Sequence, residues 1–139
     1  MNGYMLKRVF DIVVSAVALV LLAPILLVLG LAVALSSPGG ALFLQTRVGR
    51  AGKEFRLLKF RTMRPGSEAA GQITIGGHDP RITSIGYFLR KSKLDELPQL
   101  FNVLLGHMSI VGPRPEVPKY VALYTSEQRL VLNVRPGIT

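Results

Sequence analysis

From Ile12 to Leu35 the chain runs for 24 residues without a charged side chain. As a straight helix that run is about 36 Å long, enough to cross a hydrocarbon core of about 30 Å. It is too long and too apolar for one small domain to bury on every side. With 49% apolar residues and a mean hydropathy of +0.38, the remainder of the chain does not dilute the bias. A membrane segment is therefore expected. Ala32-Val33-Ala34 resembles a signal-peptidase site, but the run far exceeds the usual h-region of about 7 to 15 residues, which argues against a cleaved signal.

Two features argue against simple spanning. Pro24, near the middle of the run, cannot donate to the Val20 carbonyl and bends the helix there. Basic residues also flank both ends: Lys7 and Arg8 before it, Arg47, Arg50, Lys53 and Arg56 after it. Because Lys and Arg favour the cytoplasmic side, a helix that dips into one leaflet and returns satisfies both flanks, whereas a spanning helix leaves one cluster outside. On the residues alone both courses stay open.

The 139 residues suit one domain, and 17 basic against 8 acidic side chains give a formal charge of +9. That balance fits anionic partners such as phospholipid headgroups or nucleotides. A nucleic-acid binder is disfavoured, because the basic residues are not interleaved with stacking aromatics and the apolar run has no role there. The absence of cysteine excludes disulfides and thiolate chemistry. With only His78 and His107 present, a histidine-rich metal site is not expected.

Ser36-Ser37-Pro38-Gly39-Gly40 ends the apolar helix. Ala41 to Thr46 and Phe55 to Arg61 read as strands of a hairpin around Gly49-Arg50-Ala51-Gly52. Among its many cations, Lys59 and Arg61 lie inside a strand and are the better candidates for touching a ligand. Pro65 to Gly77 reads as a mobile loop. Helical patterning resumes after Asp79-Pro80-Arg81, with Ile82, Ile85, Phe88 and Leu89 on one face. A further helix is expected from about Lys119 through Leu123, Leu130 and Leu132. The chain is thus α+β, with a small, mostly helical part after the hairpin.

Leu94, Leu97, Phe101, Leu104 and Leu105 recur at helical spacing, and Pro98 requires Leu94 to lie at or before the start of that helix. Asp95 and Glu96, the only adjacent carboxylates in the chain, then occupy a first turn, with Arg90, Lys91 and Lys93 supplying positive charge around them. Side chains about 100° apart cannot do one job from one side, so one attacking while the other holds a metal or proton is the natural division. The plainer reading is a helix cap beside an exposed Glu. His107 is expected as a helix-end residue. In Val111-Gly112-Pro113-Arg114-Pro115, flanking prolines hold the Arg114 backbone extended, and a pre-aimed guanidinium suits phosphate contact.

These stretches, in this order, resemble the bacterial sugar transferases, the monotopic polyprenyl-phosphate phosphoglycosyl transferases. The similarity covers nearly the whole chain. It takes in Lys7-Arg8-Val9-Phe10-Asp11, Pro24, Gln45-Thr46-Arg47-Val48-Gly49 and Lys59-Phe60-Arg61-Thr62-Met63. It continues with Asp79-Pro80-Arg81-Ile82-Thr83, Leu94-Asp95-Glu96-Leu97-Pro98-Gln99-Leu100-Phe101-Asn102-Val103-Leu104, Met108 to Pro115 and Arg135-Pro136-Gly137-Ile138-Thr139.

The resemblance implies transfer of a sugar 1-phosphate from a UDP-sugar to undecaprenyl phosphate, with Mg2+, at the cytoplasmic face of the bacterial inner membrane, against anionic inner-leaflet lipids. It implies a re-entrant membrane helix over residues 8–36 broken at Pro24, although Ala23 stands where the family commonly has Ser. The catalytic region, residues 41–139, is expected to be C-terminally incomplete, since relatives continue past Thr139 with Gly-Trp-Ala-Gln-like sequence. Asp95 and Glu96 are the implied catalytic and metal-holding residues. Arg114, Lys59, Arg61, Arg90 and Arg135 are the candidate phosphate contacts. The alternative expectation is a non-catalytic, membrane-anchored basic module or an inactive truncated partner in a glycan-assembly complex.

Overall fold

The apolar run folds as expected into a helix, α1 (Gly3–Ser36), which starts earlier than the run itself. Helical structure continues through Pro24 without a gap. Much of its surface is bare hydrocarbon, with Val20 at 74%, Leu21 at 72% and Leu35 at 87% exposure. By length and composition α1 can cross a membrane. Ser36 ends it at the Ser-Ser-Pro-Gly-Gly signal, where Gly39 and Gly40 take positive φ values of 105° and 87°.

The computed structural model describes residues 2–67 and 79–139. The loop expected from Pro65 to Gly77 therefore falls outside the described residues from position 68 onward, as does His78. The expected hairpin forms from β1 (Leu42–Val48) and β2 (Glu54–Phe60), paired antiparallel around a tight turn at Arg50–Gly52. Lys59 lies within β2, but Arg61 falls just beyond its end. Then come α2 (Ser84–Ser92), a 3-10 turn (Leu94–Glu96), α3 (Gln99–Leu105), α4 (Pro118–Val121) and a second 3-10 stretch (Gln128–Asn133).

Contacts divide the chain into two units. The first gathers Met1–Leu22, Leu44–Leu58 and Gln99–Thr139; the second gathers Ala23–Phe43 and Lys59–Pro98. The division passes through α1 one residue before Pro24.

In the first unit, Phe55, Leu57, Val103 and Met108 form the core, with Ile110 and Ile138 packed against it. Asn102, 1% exposed, ties α3 to β2: its Nδ2 donates to the Arg56 carbonyl at 2.8 Å and its Oδ1 accepts from the Leu58 N–H at 3.0 Å. Asp11, 2% exposed, does the same for the start of α1. Its carboxylate accepts from Ser109 Oγ at 2.8 Å and the Ile110 N–H at 3.1 Å, with Lys7 Nζ 3.8 Å away. Lys7 also donates to Ser109 Oγ and to the Val111 carbonyl. Arg8 donates to the carbonyls of Val103 and Leu104 at the end of α3, the first of which also accepts from the Gly106 N–H at 3.1 Å.

In the second unit, Val33, Phe60 and Leu89 form the core, with Leu26, Leu29, Ala41, Ile85 and Leu94 around it. Thr83 caps α2, its Oγ1 accepting from the Gly86 N–H at 3.0 Å. Ile82 lies outside the helix, bridging Met63, and Phe88 is exposed, so the apolar face is narrower than the periodicity suggests. A Cβ on Gly86 would run into the Thr62 carbonyl. Gly86→Ala is therefore expected to lower unfolding free energy by about 2 kcal/mol, read by denaturant titration, because backbone rather than a flexible side chain must yield.

Two helical expectations need correction. The helix expected through Leu94 to Leu105 is split. Pro98 has no N–H to offer the Leu94 carbonyl, which accepts from Leu97 at 3.3 Å instead and closes a 3-10 turn before α3 begins. Nor does one helix run from Lys119 to Leu132. After α4, the Thr125 N–H donates to Gln128 Oε1 at 2.9 Å and the Gln128 N–H to Thr125 Oγ1 at 3.2 Å. That reciprocal capping box starts a new turn and leaves Leu123 and Leu130 exposed.

Candidate active site

Asp95 and Glu96 sit in the 3-10 turn Leu94–Glu96, entered through Lys93 in the left-handed conformation, φ 64°. That one residue ends α2 and turns the chain, so the placement of α2 on Thr62 also sets the placement of the carboxylates. Leu94 anchors the turn in the second core while Asp95 beside it is 4% exposed.

Lys59 comes to both acids from β2. Its Nζ lies 3.4 Å from Asp95 Oδ2 and 3.9 Å from Glu96 Oε1. A buried carboxylate carries a heavy desolvation cost unless a cation compensates it. Lys59 supplies that compensation to the two neighbouring acids at once. No cluster of three or more metal-ligating side chains occurs among the described residues. Mg2+ commonly takes only one or two carboxylates and completes its shell with water and substrate phosphate, so the Asp95-Glu96 pair fits it as a donor set.

The other expected phosphate contacts have diverse placements. Arg90 Nε donates to Thr62 Oγ1 at 2.8 Å, within the same unit as the acids. Arg61 is engaged by the turn after α1, donating to the carbonyls of Gly39 at 3.0 Å, Gly40 at 3.3 Å and Leu42 at 3.4 Å. Arg114 and Arg135 belong to the first unit. Arg114 is exposed between its prolines on chain with no regular secondary structure, near Arg47, which donates to the Pro115 carbonyl at 2.8 Å. Burial lowers the pKa of the Arg47 guanidinium, the Glu116 carboxylate works the other way, and the Arg114 charge lowers it further. Arg135 Nε donates to the Gly106 carbonyl at 2.8 Å. In the Asp79-Pro80-Arg81 turn, the Asp79 carboxylate takes the Arg81 side chain at 2.6 to 3.1 Å, a hydrogen-bonded pairing that raises the guanidinium's pKa.

Sequence reasoning missed the residues that hold these elements in place. Thr62, Gly86 and Asn102 make specific backbone contacts but carry no chemistry of their own. Asp11 carried a signal, a lone acid at the mouth of an apolar run, which calls for a buried partner. His107 follows the end of α3, as expected, and stacks on Phe55 with ring centroids 5.6 Å apart.

The pattern of the bacterial sugar transferase family matches residues 2–139. The exopolysaccharide production protein PSS of Rhizobium leguminosarum bv. phaseoli is 54% identical over 78% of this chain and 55% of its own length. The UDP-glucose:undecaprenyl-phosphate glucose-1-phosphate transferase of Caulobacter vibrioides is 44% identical over 96% of this chain and 51% of its own length. The enzyme of the same name from Escherichia coli (strain K12) is 45% identical over 97% of this chain and 30% of its own length. The chain thus spans from under a third to about half the length of these relatives. By the extent of these matches, the chain belongs to the bacterial sugar transferase family.

Proposed function

We propose that this chain transfers a sugar 1-phosphate from a UDP-sugar to undecaprenyl phosphate, releasing UMP, as a step that initiates surface-glycan assembly. The observation that carries the reading is the buried Asp95 beside Glu96 with Lys59 close to both, in a chain whose relatives bear such names. An Asp95 oxygen attacks the sugar-proximal phosphorus. The bond from that phosphorus to the bridging oxygen breaks, and UMP leaves with the electron pair. A phosphate oxygen of undecaprenyl phosphate then attacks the same phosphorus, and the Asp95 oxygen departs as carboxylate, restoring the enzyme.

Anions meeting an anionic nucleophile repel one another. Lys59 neutralises some of that charge at Asp95 and Glu96, and Arg90, in the same unit, is proposed to take phosphate oxygens. Mg2+ held by Glu96 and Asp95 would supply Lewis-acid charge neutralisation for the pyrophosphate. Arg61, occupied by three carbonyls, acts in this account by shaping the return of the chain after α1.

The same reading places α1 in one leaflet of the cytoplasmic membrane with both ends on the cytoplasmic side. Its first turns are held through Lys7, Arg8 and Asp11 by the Val103–Val111 segment, while Val33 near its end packs on Phe60 and Leu89. No other described helix is long and apolar enough to cross a membrane. What supports this course is the basic residues on both flanks of the apolar run, since Lys and Arg favour the cytoplasmic side. Since the chain has no native cysteine, Asn2→Cys and Lys119→Cys are clean reporters, and an impermeant thiol reagent added outside intact cells should label neither.

Activity is tested by measuring UMP release across a panel of UDP-sugars with undecaprenyl phosphate in nanodiscs. Release with at least one donor is expected. A non-catalytic basic module would give none with any donor.

A further inference from the structure

In the first unit a cavity of about 550 Å³ opens beside the hairpin turn, lined by Arg50, Lys53, Glu54, Phe55, His107 and Arg135 among others. Two guanidinium groups converge at its edge on one tyrosine in the first turns of α1. Arg50 lies 4.6 Å and Arg135 5.3 Å from the centre of the Tyr4 ring. Both donate to its hydroxyl, Arg135 at 2.9 Å. Among the described residues, none of Arg50, Lys53 and Arg135 forms an ion pair with a carboxylate. Glu54 is the one acid in the lining, against the three cations Arg50, Lys53 and Arg135.

Holding three cations beside a single acid is unfavourable, and the repulsion falls when an anion enters. The arrangement has the features of a phosphate site: two guanidinium groups held side by side through Tyr4, an ammonium on a flexible stem, and a cavity of ligand size. Its depth narrows the source. Tyr4 stands just before the apolar run, where amphipathic aromatic rings mark the membrane interface, so the cavity opens at headgroup level if α1 is embedded as proposed above.

We propose that this cavity binds the phosphate of an anionic lipid headgroup. The inference rests on the membrane placement of α1 but not on the chemistry at Asp95. The test uses the full chain in nanodiscs of phosphatidylcholine containing phosphatidylglycerol, followed by native mass spectrometry. Wild type should leave the disc with one phosphatidylglycerol bound. Arg50→Gln combined with Lys53→Gln, both exposed at the hairpin turn, should reduce that occupancy about tenfold or more, whereas Lys119→Gln should not. Failure to enter nanodiscs at all would sink the membrane placement itself. Entry without a retained lipid, or equal loss in all variants, would overturn the lipid site alone. A parallel arm offers glycerol phosphate to the detergent-solubilised chain. Its retention in place of lipid would assign the cavity to a soluble phosphate ester and overturn the headgroup assignment.

Discussion

Asp95→Asn is expected to reduce UMP release from the preferred UDP-sugar by about three orders of magnitude or more, with or without lipid acceptor. The amide matches the carboxylate in shape but is a poor nucleophile, so the 3-10 turn is kept while the attacking oxygen is lost. Because Asp95 is 4% exposed and paired with Lys59 at 3.4 Å, some stability change accompanies the substitution, and it must be read separately. The variant should remain folded with α1 in the membrane. Glu96→Gln provides the comparison: if Glu96 helps hold Mg2+, its loss should raise the Mg2+ concentration needed for half-maximal rate, whereas no Mg2+ restores Asp95→Asn.

The second large effect is expected far from any chemistry. Asp11→Ala should destabilise the protein by about 3 kcal/mol, because it strips partners from the Ile110 N–H and from Ser109 Oγ, which is buried with Asp11. Lys7, 3.8 Å from the carboxylate, would lose its counter-charge as well. In a protein of this size that corresponds to a fall of about 10 °C in Tm. Ser109→Ala in the Asp11→Ala background should cost less than in wild type, since the hydroxyl has already lost its acceptor there. Additive losses would mean that the two residues do not act as a pair.

How much of this was legible in the sequence differs from element to element, for physical reasons. The apolar helix and its stop at Ser36 were readable because hydropathy and the Pro-Gly-Gly signal are local. The hairpin was readable to within two residues for the same reason. Asp95 and Glu96 stood out as a pair, and Lys59 as a strand cation, but nothing local said that Lys59 Nζ would lie within ion-pair distance of both acids. Pro98 was correctly taken as a boundary, yet the boundary fell on both sides of it, a 3-10 turn before and α3 after. The Thr125-x-x-Gln128 capping box was present and passed unread, so one helix was expected where two short pieces form. Asp11 and Asn102 were invisible as fasteners because their partners lie about 98 and 44 residues away in the chain.

Intact-mass measurement of the wild-type enzyme with its UDP-sugar and no lipid acceptor tests the central claim most directly. A mass gain equal to one phospho-sugar is expected, formed as UMP is released, traced by digestion to the peptide containing Asp95, and discharged when undecaprenyl phosphate is added. UMP appearing only with acceptor present, and no adduct at any time, would mean direct displacement between donor and lipid, and Asp95 would not be the nucleophile.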